Sequence, residues 1–92
     1  MSKSGDSRNN QNHYNSKYYL ALINYENEKF NQAIPLFLEL LQNDSKNYEL
    51  YNYLGNSYLK TNNLKLALSS FRQSLTLNSY DANIYYHIGL IY

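Results

Sequence analysis

The chain repeats itself every 34 residues. Leu20, Leu54 and Ile88 stand 34 apart, and so do Ala21, Gly55 and Gly89. The pairs Phe30 and Leu64, Ala33 and Ala67, and Phe37 and Phe71 keep the same interval. Side chains of matching size recurring in phase imply one small unit used repeatedly, each copy burying its apolar face on the next. At 92 residues there is room for one domain at most, near the size where a single core is marginal.

The spacing predicts five helical stretches separated by short polar breaks. Residues Met1 to His13 have no apolar residue after Met1, too little to offset the entropy of ordering, and are read as a disordered polar tail. The first helix is expected over about Asn15–Asn27, where Tyr18, Tyr19, Leu22, Ile23 and Tyr25 give a three-and-four rhythm. A second is expected over about Asn31–Gln42, a third over Tyr48–Lys60, a fourth over Leu64–Leu77, and a fifth after Asp81. Asn47 and Asp81, also 34 apart, precede helices of the same kind and suit the N-cap, where a side-chain oxygen accepts a free first-turn N–H. Pro35 requires that the second helix begin late, near Gln32, or bend.

These residues resemble the tetratricopeptide repeat, whose 34-residue pattern is W-x2-L-G-x2-Y, then A-x3-F, then P. The best copy runs Tyr48–Asp81, with Tyr51 at the tryptophan site, then Leu54-Gly55, Tyr58, Ala67 and Phe71; Ser79 replaces the closing proline. A third copy begins with Tyr85, Ile88-Gly89 and Tyr92. The first is degenerate, with Lys17, Leu20-Ala21 and Asn24 at the signature sites, but regular at Ala33 and Phe37. The resemblance implies an all-α, right-handed solenoid of antiparallel helix pairs, five helices in all, with repeats at 14–47 and 48–81 and a partial one at 82–92. Leu20, Ala33, Phe37, Tyr51, Leu54, Gly55, Tyr58, Ala67, Phe71, Tyr85, Ile88 and Gly89 are its expected core.

Composition narrows the function. Net charge is +1 with 16% charged residues, unlike the basic footprint of a nucleic-acid binder. No apolar run approaches the roughly 20 residues of a membrane span, and the start of the chain has no apolar leader core, so a cytoplasmic setting is expected. Without cysteine there is no disulfide or thiolate metal site. His13 and His87 stand apart and are read as surface histidines; Glu26, Glu28, Glu39 and Glu49 as solvated charges. No catalytic, cofactor or metal constellation emerges. The 12 tyrosines reflect either a genome biased toward AT-rich codons or a tyrosine–amide recognition surface.

By the resemblance, the first helix of each pair lines a concave groove for a peptide or partner segment. That groove is expected to present Tyr18, Tyr19 and Leu22, then Asn52, Tyr53 and Asn56, then Tyr86, His87 and Leu90. Amides both donate to and accept from a peptide backbone, and tyrosines supply area at small entropic cost. Co-chaperones of the family that grip acidic tails need Lys and Arg in the groove. Tyr18, Leu22, Tyr53, Asn83 and His87 stand at those sites, which argues against a carboxylate clamp. The expected function is a non-catalytic interaction module or scaffold binding a protein partner, neither nucleic acid nor membrane. The alternative is the N-terminal repeat region of a larger enzyme such as a glycosyltransferase. A third reading is self-association through the uncovered last helix.

Overall fold

The computed structural model describes residues 2–91, with side chains from His13 onward. Five helices follow in order: α1 (Ser2–Glu26), α2 (Phe30–Asn43), α3 (Tyr48–Lys60), α4 (Leu64–Leu77) and α5 (Ala82–Ile91). No strand occurs among the described residues. The short connections force consecutive helices to run antiparallel. The assembly is elongated, 53 × 27 × 17 Å, its thinnest dimension that of two packed helix layers.

Local chemistry sets the boundaries. The Asn47 side chain accepts from the N–H groups of Glu49 (3.0 Å) and Leu50 (3.4 Å), and Asp81 accepts from the N–H of Asn83 at 3.0 Å. Within each pair the first helix closes on a left-handed residue, Glu28 (φ 62°) or Asn62 (φ 65°), again 34 apart. The N–H of Lys29 bonds the carbonyl of Asn24 (2.7 Å) and that of Asn63 the carbonyl of Tyr58 (2.8 Å). This six-to-one closure satisfies carbonyls that a helix end leaves free. Asparagine tolerates the left-handed region better than glutamate.

One expectation about the first pair is corrected, and of the two alternatives for Pro35 the late start near Gln32 is set aside. The segment through His13 was expected to be a disordered tail, yet α1 is helical from Ser2; Met1 lies outside the described residues. Once the packed stretch from Tyr14 is helical, each further residue adds a hydrogen bond without a new nucleation cost. Pro35 lies inside α2, which starts at Phe30. The carbonyl that Pro35 leaves unpaired is that of Asn31, and both residues are exposed to water.

The core follows the repeat. Ala21, Ala33, Phe37, Leu40, Leu41, Leu50 and Leu54 form one cluster; Ala67, Phe71 and Ile84 form a second. Small residues let the backbones meet: a Cβ on Gly55 would stand 2.7 Å from Cδ1 and Cε1 of Phe71. Tyr51, Tyr58 and Ile88 are half-buried around these clusters. Three residues expected in the core are not. Leu20 is 50% and Tyr85 55% exposed, and nothing stands within 4 Å of a Cβ on Gly89. Their counterparts Leu54 and Gly55 are enclosed by α2 and α4, whereas no described helix precedes α1 or follows α5. Tyr92, the last signature residue of the third copy, lies outside the described residues.

Candidate peptide-binding groove

The nine expected groove residues fall into three rows spaced by the repeat: Tyr18, Asn52, Tyr86; Tyr19, Tyr53, His87; and Leu22, Asn56, Leu90. All lie on α1, α3 and α5. The rows differ in what their side chains do.

The middle row belongs partly to the core. Tyr53 stacks on Phe37 (centroids 5.6 Å, planes 7° apart), and His87 stacks on Phe71 in the same way (5.4 Å, 9°). One aromatic contact is thus repeated with the period of the chain. His87 is therefore no plain surface histidine. It is half-buried, and its Nδ1 is enclosed without a hydrogen-bond partner among the described residues. Phe37 and Phe71 stand 16 residues before Tyr53 and His87; the matching position for Tyr19 holds Lys3, and Tyr19 is exposed.

The two asparagines are engaged inside the protein. Asn56 Nδ2 donates to the Tyr25 hydroxyl, and Asn52 Nδ2 donates to Asp81 Oδ2 at 3.3 Å. Each bond ties one helix pair to another, so these amides brace the groove wall. Each nevertheless keeps a carbonyl oxygen as an acceptor. Tyr86 and Leu90 are largely exposed, while Tyr18 and Leu22 are half-buried. Tyr18 lies nearly parallel to Tyr19 at 6.4 Å and edge-on to Tyr14 at 6.0 Å.

The charged groups that act on Tyr18 and Tyr53 are carboxylates: Glu49 on both, Asp44 on Tyr18 and Glu26 on Tyr53. Burial pushes the hydroxyls of Tyr18 and Tyr53 above the usual phenol range, and the Glu49 carboxylate adds to both shifts. Both therefore remain neutral hydroxyls at physiological pH. An acidic ligand would meet Glu49 with no lysine or arginine at the positions that a carboxylate clamp requires.

A second network anchors α1 beside this surface. The Tyr14 hydroxyl donates to Asp44 Oδ2 at 2.6 Å, and Asn47 Nδ2 donates to the same oxygen at 2.9 Å. The helix cap before α3 is thereby joined to α1. Burial first, and then the bond to Asp44, push Tyr14 up to about 12. A phenol whose folded pKa exceeds its unfolded value of 10.0 contributes stability fully below pH 10, lost as pH rises through about 12. Tyr14→Phe is expected to cost about 1 kcal/mol at neutral pH, the worth of one such hydrogen bond. The difference from the parent chain should shrink between pH 10 and 12; urea midpoints at both ends of that window test it.

Sequence reasoning missed Tyr25, which bonds Asn56 and meets Tyr53 edge-on at 5.0 Å. Its position, three residues after Leu22 on the same helical face, was the available signal. The buried Ser57 and Ser74 were missed too. Their hydroxyls donate to the carbonyls of Tyr53 (2.8 Å) and Tyr48 (2.9 Å), and nothing in a lone serine announces such a partner. Among the described residues no group of acidic, cysteine or histidine side chains could hold a metal, and no helix is long and apolar enough to cross a membrane.

Comparison with known proteins agrees with the fold. A family model described as tetratricopeptide repeat matches residues 18–82. The general transcriptional corepressor trfA of Dictyostelium discoideum is 33% identical over 67 residues, 71% of this chain and 5% of that protein. The general transcriptional corepressor ssn6 of Schizosaccharomyces pombe is 33% identical over 75 residues, 79% of this chain and 7% of that protein. The chain thus spans less than a tenth of the length of these curated relatives. Among solved structures, MamA MSR-1 C2 superposes with a TM-score of 0.82 at 20% identity, covering 86% of this chain and 45% of that one. The MamA RS-1 ArsTM double mutant gives 0.82 at 16% identity, covering 88% and 46%. At such identities the likeness is one of fold.

Proposed function

The chain belongs to the tetratricopeptide repeat family, whose helical repeats generally mediate protein–protein interaction, and from that premise we propose that its concave face binds an extended, near-neutral peptide of a partner protein. In this reading residues 14–47 and 48–81 are two complete repeats and 82–92 opens a third. The observation that carries it is the three-row arrangement on α1, α3 and α5. Its outer rows offer Tyr18, Leu22, Tyr86 and Leu90 as apolar contacts and the free oxygens of Asn52 and Asn56 as acceptors. The middle row holds the wall in place through Phe37 and Phe71. Glu49 and the lack of groove lysine or arginine turn the preference away from acidic tails.

The names of the two relatives support an adaptor role within a larger assembly over service to an attached enzyme. A cytoplasmic location is proposed with it; nuclear enrichment of the tagged full-length protein, in keeping with a corepressor, would replace it. Self-association through α5 is the second reading, favoured by exposed Tyr85, Tyr86 and Leu90. Light scattering over a concentration series that shows a strict monomer counts against it.

The groove is tested by selecting displayed 12-residue peptides on the full chain and titrating the recovered sequences. Uncharged or weakly basic peptides are expected, losing about tenfold in affinity (about 1.4 kcal/mol) in Tyr18→Ala and Leu90→Ala, with little salt dependence. Recovery of acidic peptides whose binding falls steeply with salt would overturn the assignment.

A further inference from the structure

The two ring nitrogens of His87 stand in different surroundings. Phe71 covers one face of the ring, with centroids 5.4 Å apart, and Tyr86 meets it edge-on at 5.8 Å with the planes 70° apart. Between them these contacts set the orientation of the imidazole. Nδ1 is enclosed and has no hydrogen-bond partner among the described residues. Enclosure shuts out water as well. Nε2 is not among the enclosed atoms, and the accessible part of this half-buried side chain includes it. A neutral imidazole carries one N–H and one bare nitrogen. Buried N–H groups without an acceptor are rarer in folded proteins than acceptors left short of a donor. A proton on Nδ1 would be such an orphan, whereas one on Nε2 can reach a partner.

We propose that His87 keeps its proton on Nε2 and donates it to a main-chain carbonyl of the peptide in the concave groove. The inference rests on the peptide reading above and adds to it a fixed donor. Tyr86 and Leu90, one residue before and three after, are largely exposed, so this stretch of α5 is open to a ligand. In the second unit the same place belongs to Tyr53, stacked in the same way on Phe37. A phenol hydroxyl rotates and either donates or accepts; the ring of His87 has no such freedom. Asn52 and Asn56 have given an Nδ2 hydrogen to Asp81 and Tyr25, leaving their oxygens for ligand N–H groups. Acceptors thus stand on α3 and a donor on α5. An extended chain has both kinds of main-chain group unpaired, and this wall meets both. Helices in contact, as α3 and α5 are, lie about 8–10 Å apart, and an extended chain advances about 3.4 Å per residue. The carbonyl on His87 therefore belongs to a residue about three positions from the one whose N–H meets Asn52 or Asn56. A lysine or arginine side chain at this place would bring only donors to a donor. A carboxylate would find no lysine or arginine at the positions of a carboxylate clamp.

The first readout is the ring itself. Two-bond 15N–1H spectra of the full chain at about pH 8 distinguish a protonated from a bare ring nitrogen, and His87 should show its proton on Nε2. The second uses the tightest uncharged 12-residue peptide from the displayed selection, synthesised with each backbone amide in turn replaced by an ester. His87→Phe keeps a ring over Phe71 and removes the N–H, and should bind the unmodified peptide about tenfold more weakly. One ester position, whose carbonyl accepts less strongly, should cost about fivefold on the parent chain and nothing on His87→Phe; a residue that only packs would show no such coupling. A proton on Nδ1, unchanged affinity in His87→Phe, or ester losses equal on both chains at every position would overturn the proposal. If no displayed peptide binds at all, the groove reading itself fails. Peptides that bind His87→Phe as tightly as the parent leave that reading standing and remove His87 from it.

Discussion

Phe71→Ala is expected to cost about 3–5 kcal/mol, the usual range for emptying a buried aromatic site. The ring is fully buried. One face leans on Gly55 and the ring stacks with His87, so truncation opens a void shared by α3, α4 and α5. Collapse into that void is blocked on the α3 side, where there is no side chain to move. Among the described residues the second core cluster has Ala67, Phe71 and Ile84 as its buried members, so α5 loses most of what holds it. In a repeat array stability is a sum over units and their interfaces, so the damage should stay local. Hydrogen exchange should accelerate across α5 and α4 first, with α1 and α2 protected until global unfolding. Phe37→Ala should reverse the pattern, since Phe37 stacks on Tyr53 and sits in the first cluster. Urea unfolding gives the magnitude and exchange gives the location. A loss below 1 kcal/mol, or uniform loss of protection in both variants, would contradict this picture.

How far the sequence reveals this fold depends on whether a property belongs to the unit or to its neighbours. The bounds of α3 and α4 are readable because the cues are local: Asn47 before α3, the asparagines after Thr61, and Asn78 after Leu77. The 34-residue phase also identifies which side chains share a role. It does not say whether each copy's role is fulfilled. Leu20 and Leu54 hold the same place in the unit, yet one is half exposed and the other nearly buried, because only Leu54 has a helix on either side. The groove shows the same division. That Asn52 and Asn56 share a face follows from their spacing. That Asn56 bonds Tyr25, 31 residues earlier, depends on how two helix pairs lean together. The helical start of α1 escaped notice for a related reason: composition reports whether a segment can hold itself, not whether a packed neighbour extends into it.

The two glycines of the repeat turn that distinction into a measurement. Gly55→Val should destabilise the chain by roughly 3 kcal/mol, the upper part of the range for overpacking. Its Cβ alone would lie 2.7 Å from two ring atoms of Phe71, and the added methyls leave the ring nowhere to go, since it stacks on His87. Gly89→Val, at the equivalent place one period on, adds the same atoms with nothing within 4 Å of the Cβ and should change stability by no more than about 0.5 kcal/mol. Helix propensity cannot produce the contrast, because valine replaces glycine inside a helix in both cases. Ala21, the first member of the series, already carries a Cβ and is fully buried, so α1 and α2 tolerate one more carbon there than α3 and α4 do. Gly55→Ala should accordingly fall between the parent and Gly55→Val, near 1 kcal/mol once the helix-propensity gain of about 1 kcal/mol is subtracted. Equal effects of valine at 55 and 89 would mean that the close approach at Gly55 is not what seats α4 on α3, and the argument from Phe71 would fail with it.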